Sequence, residues 1–454
     1  MRTVRIASGV GFYGDSFWPA IEIIKEKQAD YVCFEDLAEL TLAILAKDRA
    51  KNPETGYTKD LIPSLRAGWK LAMDAGIKII TNAGGLNPAS AGAAAAKLAK
   101  ELGITPKIAV ISGDSIFDRL ETDELFPHSE TGSPLPASIR KDALFANAYL
   151  GARPIVEALS RGADLVITGR VADAALFLAP LAYEFGWDFD DLDRIAQGTV
   201  VGHILECSSQ ATGGNHGRDW ESIVGLENIG FPIAEVNERG DAIITKLANS
   251  GGRVDEFTIK EQLLYEIHNP FAYQTPDVVM DISTTSVRQV GVNQVSVTST
   301  SGHNKPDRYK AIIGYPSGWM GQGILGYSWP DAYKKAQKTA AIITDQLKIF
   351  EDKVESIRIE HLGLDSLHAE MAASPEVLAD LPEVYLRIAI RTQERSVAEM
   401  VSRMMVPLAL AGPPTASGLL GFDRSRALIG LWPTLVERGP IDENVSIDIF
   451  EVAK

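Results

Sequence analysis

The sequence predicts an α/β protein: an N-terminal parallel-sheet α/β domain, residues 1–224, followed by an α+β domain with mostly antiparallel strands, residues 225–454. In the first part, short apolar runs alternate with helical stretches, which is typical of a parallel sheet with right-handed crossovers. In the second part, apolar and polar residues alternate with a period of two, as in antiparallel strands. We therefore place a boundary near Gly225. We expect the first domain to carry most of the site and the second to pack against it and close the cleft.

The chain begins with a predicted strand, Val4–Ala7, that runs into a glycine loop ending at Asp15. A helix follows over Trp18–Lys27, with Asp15 or Ser16 as its N-cap. The loop lacks the Lys-Ser/Thr pair of a Walker motif and only loosely resembles a dinucleotide fingerprint. It is either a tight turn or a binding loop, and Asp15 is a candidate substrate-binding residue.

The second predicted strand, Ala29–Phe34, is followed by three acidic residues, Glu35, Asp36 and Glu39. Acidic side chains in a first helical turn are favoured by the helix dipole. In an open α/β sheet, the carboxyl ends of the strands are also the places where ligands bind. Helix capping and a base or ligand therefore both stay open as interpretations.

Two further strand and loop units repeat the pattern. A helix over Leu61–Ala75 ends at Gly76 and leads into a strand, residues 77–82, and a polar glycine loop before helix Ala89–Leu102. Another strand, residues 107–112, also ends in a glycine and an acid. The substrate-binding candidates from these loops are Asn82, Gly84, Gly85, Asn87 and Asp114.

The segment Glu121–Pro136 is polar and contains three prolines, so we expect a surface loop or a lid, followed by a helix over Ile139–Gly162. The next strand ends close to Arg170. Because the guanidinium fork can bind two oxygens, Arg170 is the candidate anchor for a carboxylate or phosphate. The alternative is an ion pair with Asp173 that only closes a helix start.

The densest cluster of proton-transfer and hydrogen-bonding groups lies between Gly202 and His216 and reads GHILECSSQATGGNH. We interpret it as one wall of an active site, and its first part as a strand end or the start of a helix. The catalytic candidates are Glu206, His203, Cys207 and, from the preceding unit, Asp173. Gly214 and Asn215 are candidate substrate-binding residues.

The polar loops are expected to converge. The carboxyl ends of parallel strands meet at one edge of a sheet. We therefore predict that the glycine-containing loops after four strands lie along one edge, and this convergence is the main reason to expect an enzyme. These loops are residues 9–15, 82–87, 113–115 and 169–173.

The second part of the chain is predicted to contain strands, a glycine-rich loop and helices. The strands are expected at residues 230–236, 241–247, 276–282, 288–302, 309–315, 354–363, 383–392 and near Ile447. The glycine-rich segment Gly314–Gly326 is either a loop that closes over a ligand or a structural crossover. The helices are expected at the end of residues 249–267 and over Pro330–Phe350, Pro375–Leu381 and Ser396–Val406.

Composition limits the function classes. The net charge is −16 and no cluster of Lys and Arg is present, which argues against nucleic-acid binding. Two cysteines, Cys33 and Cys207, give no disulfide framework, as expected in a reducing compartment. No apolar segment has membrane-spanning length and no signal-peptide core is seen. We expect a cytoplasmic protein with no membrane or nucleic-acid partner, and a homo-oligomer.

Several catalytic classes are disfavoured. The seven histidines form no HExxH or HxH pair, so no metal site is predicted, although carboxylates and histidines from separate loops leave room for a divalent cation. No GxSxG elbow is present. A buried thiol is the preferred interpretation of Cys207, and an NAD enzyme ranks last because the fingerprint is irregular.

Once these classes are set aside, the sequence favours acid–base chemistry without a bound redox cofactor. Glu206 or His203 is expected to exchange a proton with a carbon next to a carbonyl group, while loop amides and Arg170 hold the negative charge that develops. His216 is a further candidate for proton transfer. Addition or loss of water, or cleavage of a carbon–carbon bond, uses these parts.

Motifs along nearly the whole chain resemble the acyclic terpene utilisation (AtuA-like) family, also described as a domain of unknown function. They are GVGFYGDS, DLAELTLA, TNAGGLNP, ITGRVADAAL, GHILECSSQATGGN, GFPIAEV and TIKEQLLYEIHNPFAYQTPDVV. The resemblance implies the catabolism of citronellol- and geraniol-like compounds, whose intermediates are branched acyl-CoA thioesters. It also implies a small C-terminal domain, in some members a separate protein. We expect this chain to stop short of that domain and a small partner subunit to supply it.

These observations lead to a catabolic lyase or hydratase that acts on a branched carboxylic acid or its acyl-CoA thioester, with CoA present as part of the substrate. In this hypothesis Glu206 or His203 is the general base and Arg170 is the anchor. Asn82, Asn87 and Asn215 bind the carbonyl group. The alternative is a non-catalytic acyl-binding subunit or scaffold that works with a small partner protein.

Overall fold

A computed structural model describes residues 2–122, 124–369, 378, 381–420 and 425–453. The chain divides into two compact units, residues 1–314 with 431–454, and residues 315–430. The strands are β1 (Thr3–Val10), β2 (Tyr31–Phe34), β3 (Lys78–Thr81), β4 (Lys107–Ser112), β5 (Phe145–Ala148), β6 (Leu165–Thr168), β7 (Ile233–Asn237), β8 (Ala242–Thr245), β9 (Tyr273–Gln274), β10 (Val279–Asp281), β11 (Ser286–Gly291), β12 (Gln294–Thr298), β13 (Ser301–His303), β14 (Arg308–Ser328), β15 (Val354–Leu362), β16 (Glu383–Thr392), β17 (Ala416–Leu420), β18 (Arg426–Glu437) and β19 (Ser446–Glu451). The helices are α1 (Trp18–Lys25), α2 (Glu39–Lys51), α3 (Leu61–Ala75), α4 (Pro88–Leu102), α5 (Ala137–Asp142), α6 (Arg153–Ser160), α7 (Ala175–Phe185), α8 (Leu192–Glu206), α9 (Glu256–Leu264), α10 (Ala332–Leu347), α11 (Arg395–Ala398), α12 (Met400–Met405), α13 (Leu408–Ala411) and α14 (Arg438–Asp442).

The first unit is organised around a mixed sheet whose strand order is β11-β12-β8-β7-β1-β2-β3-β6-β4-β19. The five strands from β1 to β4 in this order are parallel, so their carboxyl ends lie at one edge. β7 pairs with β1 in the antiparallel sense, and β19 does the same with β4. The predicted α/β class, with parallel pairs first and antiparallel pairs elsewhere, is confirmed.

Both faces of the parallel strands are buried. Successive side chains of a strand point to opposite faces, and accordingly Ile6 belongs to one apolar core and its neighbour Ala7 to the other. One core includes side chains of α1, α3 and α4, and the other includes those of α6, α7 and α8. Two helical layers therefore cover the sheet, which leaves the loops at its carboxyl edge as the place for a cavity.

The second unit contains an antiparallel sheet of its own. The part of β14 from Trp319 to Ser328 pairs with β16, which pairs with β15. Buried side chains of these strands pack with those of α10, for example Leu325 and Ile343. The predicted helix over Pro330–Phe350 is confirmed by α10 and the 3-10 turn that follows it.

The compact units divide at a different place from the predicted domains. The sequence placed the boundary near Gly225, whereas the first unit continues to Gly314. The reason is that β7 and β8, although antiparallel, extend the sheet that contains β1. The antiparallel pattern was predicted correctly, but it reports strand direction and not the sheet to which a strand belongs.

Two predicted elements are wrong. The single helix over Ile139–Gly162 is replaced by α5, β5 and α6, because residues 145–148 pair with β14 and α6 begins only at Arg153, next to Pro154. The segment Gly314–Gly326, predicted as a loop or crossover, lies within the continuous strand β14. Its glycines let neighbouring backbone approach closely: a Cβ on Gly321 would lie 1.8 Å from the carbonyl oxygen of Ala398.

Several smaller predictions also have an outcome. Gly76 ends α3 in the left-handed conformation, as predicted. The helix predicted over Ser396–Val406 is divided into α11 and α12. Most of the predicted helix Pro375–Leu381 lies outside the described residues. Among the described helices, none is both long and apolar enough to cross a membrane.

Candidate functional site

The first unit contains a cavity of about 610 Å³ at the carboxyl edge of the parallel strands. Its lining includes Gly11 after β1, Glu35 after β2 and Arg170 after β6. The end of α8, the turn that follows it, the start of β14 and several residues between 265 and 280 also contribute, as do Tyr149 and Leu435. The predicted convergence of loops therefore holds for those after β1 and β6, and the cavity is the candidate active site.

Two proton-transfer groups form a hydrogen-bonded pair at the end of α8. Nδ1 of His203 lies 2.7 Å from Oε1 of Glu206, and both side chains line the cavity. Residues three apart share a helix face, so α8 brings these groups together. The segment GHILEC is thus the end of a helix, and both predicted alternatives, a strand end and the start of a helix, are wrong. Nε2 of His203 has no hydrogen-bond partner among the described residues.

The pair keeps a proton at higher pH than its free side chains do. Burial, opposed by His203, raises the pKa of Glu206 to about 7, and the charges of Asp173 and Glu266 act in the same direction as burial. Burial disfavours the charged form of His203, but the Glu206 carboxylate outweighs it and raises the pKa of the imidazole. A carboxyl group that titrates near neutral pH is suited to acid–base catalysis.

Arg170 is held by contacts on both its backbone and its side chain. Its backbone N–H donates to Asp114 at 2.9 Å, and its NH1 donates to the carbonyl oxygen of Val171 at 2.9 Å and to Asp173 at 2.5 Å. Nε of this buried side chain has no hydrogen-bond partner within the described ranges. The ion pair with Asp173, the predicted alternative role, is present.

Glu35 lies beside Arg170 in the lining. Its Oε1 accepts hydrogen bonds from the backbone N–H of Leu37 at 2.9 Å and from Nδ2 of Asn82 at 2.8 Å. NH1 of Arg170 is 4.0 Å from the same oxygen. Burial is the largest cause that raises the pKa of Glu35 well above its ordinary value, and the charge of Asp173 adds to it.

A second ionic cluster lines another part of the cavity. Glu39 accepts a hydrogen bond from the hydroxyl group of Tyr149 and pairs with Lys310 at 3.2 Å. Burial works against the ionisation of Glu39, but Lys310 and Tyr149 lower its pKa to about 2. The guanidinium of Arg170 lies 4.1 Å from the centre of the Tyr149 ring. Tyr149 therefore connects this cluster with Arg170.

Asp15 supports the wall of the cavity from behind. Its Oδ2 accepts hydrogen bonds from the backbone N–H of Gly11 at 3.0 Å and from Oγ of Ser208 at 2.8 Å. It is not the N-cap of α1, a position occupied by Phe17. A Cβ on Gly11 would lie 2.8 Å from the backbone carbon of Cys207, so only glycine allows this approach.

Three residues of the lining other than glycine have left-handed backbones. The φ angles are 46° for Ser208, 55° for Asn215 and 62° for Glu266. Such conformations carry a cost of order 1–3 kcal/mol in residues with a Cβ and cluster at functional sites. The parts of the wall that follow α8 and α9 are thus held in an unusual conformation by the structure around them.

Some predicted site residues stand behind the lining and not in it. Asn82 is buried, with Oδ1 accepting from the backbone N–H of Asp36 at 2.7 Å and Nδ2 bound to Glu35. Asn87 caps α4 and also donates to the carbonyl oxygen of Thr55 at 2.9 Å. A direct contact of these amides with a substrate carbonyl stays a prediction, and their observed contacts are structural.

The glycines of the same loop serve close packing. A Cβ on Gly84 would lie 2.5 Å from the carbonyl oxygen of Thr168, and Gly85 has a φ of 54°. Asp114 also stands behind the lining and accepts hydrogen bonds from Asn147 at 2.7 Å and from Arg170. Gly214, by contrast, belongs to the lining, as does Asn215.

Cys207 lines the cavity, but its surroundings favour the thiol. Burial first, and then the negative charge of Glu206, raise the pKa of Cys207 well above its ordinary range. A nucleophilic cysteine needs the opposite shift. The structure therefore supports the interpretation of Cys207 as a neutral thiol that is not activated for nucleophilic attack.

His216 has a different environment. Its Nδ1 lies 2.7 Å from Glu261 and its Nε2 lies 3.0 Å from Asp219, so both ring nitrogens are occupied. It is buried and does not belong to the lining of the cavity. Its contacts join the loop after α8 to α9.

The sequence did not identify several lining residues. Tyr149 and Lys310 come from segments that are predicted as a helix and a strand, and Tyr273 lies between two predicted elements. Tyrosines and a lone lysine have no local motif, so only their position in the fold shows that they share a cavity. The alternating pattern around Lys310 predicted the strand but not the surface that it faces.

In the part of the chain that the structure describes, no group of three or more His, Cys, Asp or Glu side chains is arranged to hold a metal ion. A family model described as "Acyclic terpene utilisation family protein AtuA" matches residues 4–447. No significant match was found among curated proteins or solved structures. The matched segment covers nearly the whole chain and includes every element of the cavity described above. The chain therefore belongs to the acyclic terpene utilisation family AtuA.

Proposed function

We propose that this protein is an enzyme, a lyase or hydratase, that acts on a branched carboxylic acid or its acyl-CoA thioester by acid–base chemistry. The observation that carries the proposal is the buried His203–Glu206 pair facing a cavity that also contains Arg170. The branched acyl substrate is suggested by the family, whose name refers to acyclic terpenes. The cavity volume of about 610 Å³ accommodates such a molecule.

In the proposed mechanism Glu206 is the general base. Its carboxylate removes a proton from the carbon next to the carbonyl group, and the hydrogen bond from Nδ1 of His203 orients the carboxylate. The pKa of about 7 for Glu206 allows it both to accept the proton and to release it near neutral pH.

Arg170 is the proposed partner of the substrate carbonyl or carboxylate oxygen. Its position is fixed by Asp173, Val171 and Asp114, so no reorganisation is needed when negative charge develops. Arg170 belongs to the lining of the cavity, and its guanidinium N–H groups are the donors that a substrate oxygen would use. Leu37, Met280 and Leu435 in the lining offer apolar contacts for the acyl chain.

The second candidate function is a non-catalytic acyl-binding subunit that presents its ligand to a partner enzyme, with a small partner protein. The apolar part of the lining supports this role as well. A scaffold would bind the acyl compound and return it unchanged. Recovery of the chain alone from a pull-down would count against a partner subunit.

The test is incubation of the purified protein with branched unsaturated and 3-hydroxy acids and their CoA thioesters, with and without magnesium or manganese, followed by mass spectrometry. A mass change of water, or of a lost acid fragment, supports the enzyme. Glu206→Gln should abolish this change of mass, and its matched control is Glu26→Gln, which replaces an exposed carboxylate outside the cavity. Ligand binding without any change of mass in the whole panel would favour the scaffold.

A further inference from the structure

Glu35 is a buried carboxyl group in the cavity that the proposed base chemistry does not use. Both of its hydrogen-bond donors, the N–H of Leu37 and Nδ2 of Asn82, bind the same atom, Oε1. No described residue donates a hydrogen bond to Oε2. If the carboxyl group holds a proton, that proton belongs on Oε2, because two N–H donors already occupy the lone pairs of Oε1.

The orientation of Asn82 is fixed independently. Its Oδ1 accepts a hydrogen bond from the backbone N–H of Asp36 at 2.7 Å, so its Nδ2 must face Glu35. Asn82 is 0% exposed, so solvent does not compete for these hydrogen bonds in the structure. Asn82 is thus a positioning residue that keeps Oε1 of Glu35 as an acceptor and leaves Oε2 as the atom that carries a hydrogen.

The charges around Glu35 favour its neutral form. Burial is the main cause of its raised pKa, and the carboxylate of Asp173 is the next. Arg170 opposes both, but its NH1 is 4.0 Å from Glu35 and only 2.5 Å from Asp173, so the guanidinium charge is mainly compensated by Asp173. Asp173 also raises the pKa of Glu206, which shows that its charge reaches both carboxyl groups.

We propose that Glu35 is the general acid of this site and that it protonates the departing oxygen of a 3-hydroxy acyl substrate. The inference rests on the proposed function, in which Glu206 is the base. Glu206 removes the proton from C2, the C–H electron pair forms the C2–C3 double bond, and the C3–O bond breaks. The hydroxyl oxygen takes the proton from Oε2 of Glu35 and leaves as water. One proton then passes through solvent from Glu206 to Glu35, which returns both groups to their starting states. Hydration is the reverse sequence.

Glu39, on the same segment, is the natural comparison. It also lines the cavity, but Lys310 and Tyr149 hold it in the ionised form, with a pKa of about 2. An ionised carboxylate cannot give a proton to a leaving group. The segment after β2 therefore supplies two acidic side chains with opposite protonation states, and only Glu35 has the form that a general acid needs.

The first experiment measures the protonation state without a substrate. Glu35→Gln preserves the shape of the neutral acid, keeps an acceptor at Oε1 and replaces the Oε2 hydroxyl with an NH2 donor, so this variant is expected to fold. The wild type at neutral pH should show a protonated-carboxyl band in the infrared spectrum, to which Glu206 and other buried carboxyl groups also contribute. This band should be weaker in E35Q and of unchanged intensity in Glu39→Gln. An unchanged band in E35Q would show that Glu35 is ionised and would overturn the assignment.

The second experiment measures the acid's role in the reaction. The probes are 3-hydroxy-4-methylpentanoate and 3-chloro-4-methylpentanoate, each as the free acid and as the CoA thioester, because chloride departs without protonation. E35Q should lose about 10²-fold or more of the elimination rate with the hydroxy compounds and retain most of the rate with the chloro compounds. E39Q should change both rates by a similar factor.

The outcomes separate the two proposals. Equal losses of E35Q with both leaving groups, or no loss with either, would contradict the role of Glu35 while leaving the base chemistry in place. If the wild type eliminates neither water nor chloride from any probe, the proposed function fails, and the catalytic role of Glu35 fails with it. The infrared result then still decides whether Glu35 is protonated.

Discussion

Nδ1 of His203 lies 2.7 Å from Oε1 of Glu206, and both side chains belong to the last turn of α8. One feature of the helix end favours a proton on this pair, and another fixes the position of the turn. The C-terminal end of a helix carries partial negative charge, which stabilises a protonated imidazole. The carbonyl oxygen of His203 is also bound by Nε2 of Gln262 at 2.8 Å, which fixes this turn against α9. The helix end therefore supplies a preorganised proton-transfer pair and not merely a polar surface.

The rate of the proposed reaction should depend on the protonation of Glu206. Because the base must be ionised and its pKa is about 7, the rate is expected to rise as the pH increases through about 7. The measurement is kcat/KM as a function of pH with the substrate found in the panel. A rate that is constant across this range would show that Glu206 does not control the reaction.

The stability of the protein should also depend on this group. The pKa of Glu206 rises from its ordinary value of 4.5 to about 7 on folding, so the folded state holds this proton more tightly than the unfolded chain does. Its contribution to the free energy of unfolding is therefore fully present below about pH 4.5 and is lost as the pH rises through about 7.

Comparison with Glu206→Gln isolates this contribution from those of other buried acids. Between about pH 5 and about pH 8, the wild type should lose more of its free energy of unfolding than the variant, measured by urea denaturation. Parallel pH profiles for the two proteins would contradict the raised pKa.

Gly11→Ala should disturb the cavity wall. The new Cβ would lie 2.8 Å from the backbone carbon of Cys207 and 2.9 Å from the backbone nitrogen of Ser208, and backbone atoms cannot move aside as a flexible side chain can. We expect a loss of about 1–3 kcal/mol in the free energy of unfolding together with reduced activity. The control is Gly217→Ala, whose Cβ meets no atom nearer than 3.7 Å. Equal stability of both variants would contradict the close approach.

His216→Ala separates a structural histidine from a catalytic one. Removal of the imidazole deletes the contacts with Glu261 and Asp219, so a loss of about 1–3 kcal/mol in the free energy of unfolding is expected. Because His216 does not line the cavity, kcat per folded molecule should be unchanged. A fall in kcat without a change in stability would place His216 in the mechanism instead.

Much of the fold could be predicted from local patterns. Apolar runs that end in glycine loops identify β1, β3, β4 and β6, and an apolar run that ends in acidic residues identifies β2. Gly76 marks the end of α3 because a left-handed residue is needed there. The patterns did not distinguish the short strand β5 from a helix, because four residues of small and aromatic side chains have no clear period. They also did not reveal that β7 and β8 join the first sheet, since a strand's neighbours depend on the whole topology.

The candidate site could be predicted where its residues lie in one segment. His203, Glu206 and Cys207 are close in sequence and share the cavity wall. The contacts of Asn82 could not be predicted from the sequence, because its burial behind Glu35 depends on how two loops pack. The different surroundings of Glu35 and Glu39 could not be predicted from the sequence. Asn82, which contacts Glu35, and Lys310, which contacts Glu39, are far from them along the chain.

Exchange of the C2 proton with deuterium from the solvent tests the central claim most directly. The wild type, incubated in deuterium oxide with a branched acyl substrate or product analogue, should incorporate deuterium at the carbon next to the carbonyl group. Glu206→Gln should reduce that exchange by about 10²–10⁴-fold while keeping the fold and the binding of the ligand. Exchange by the variant at the rate of the wild type would show that Glu206 is not the base and would contradict the account.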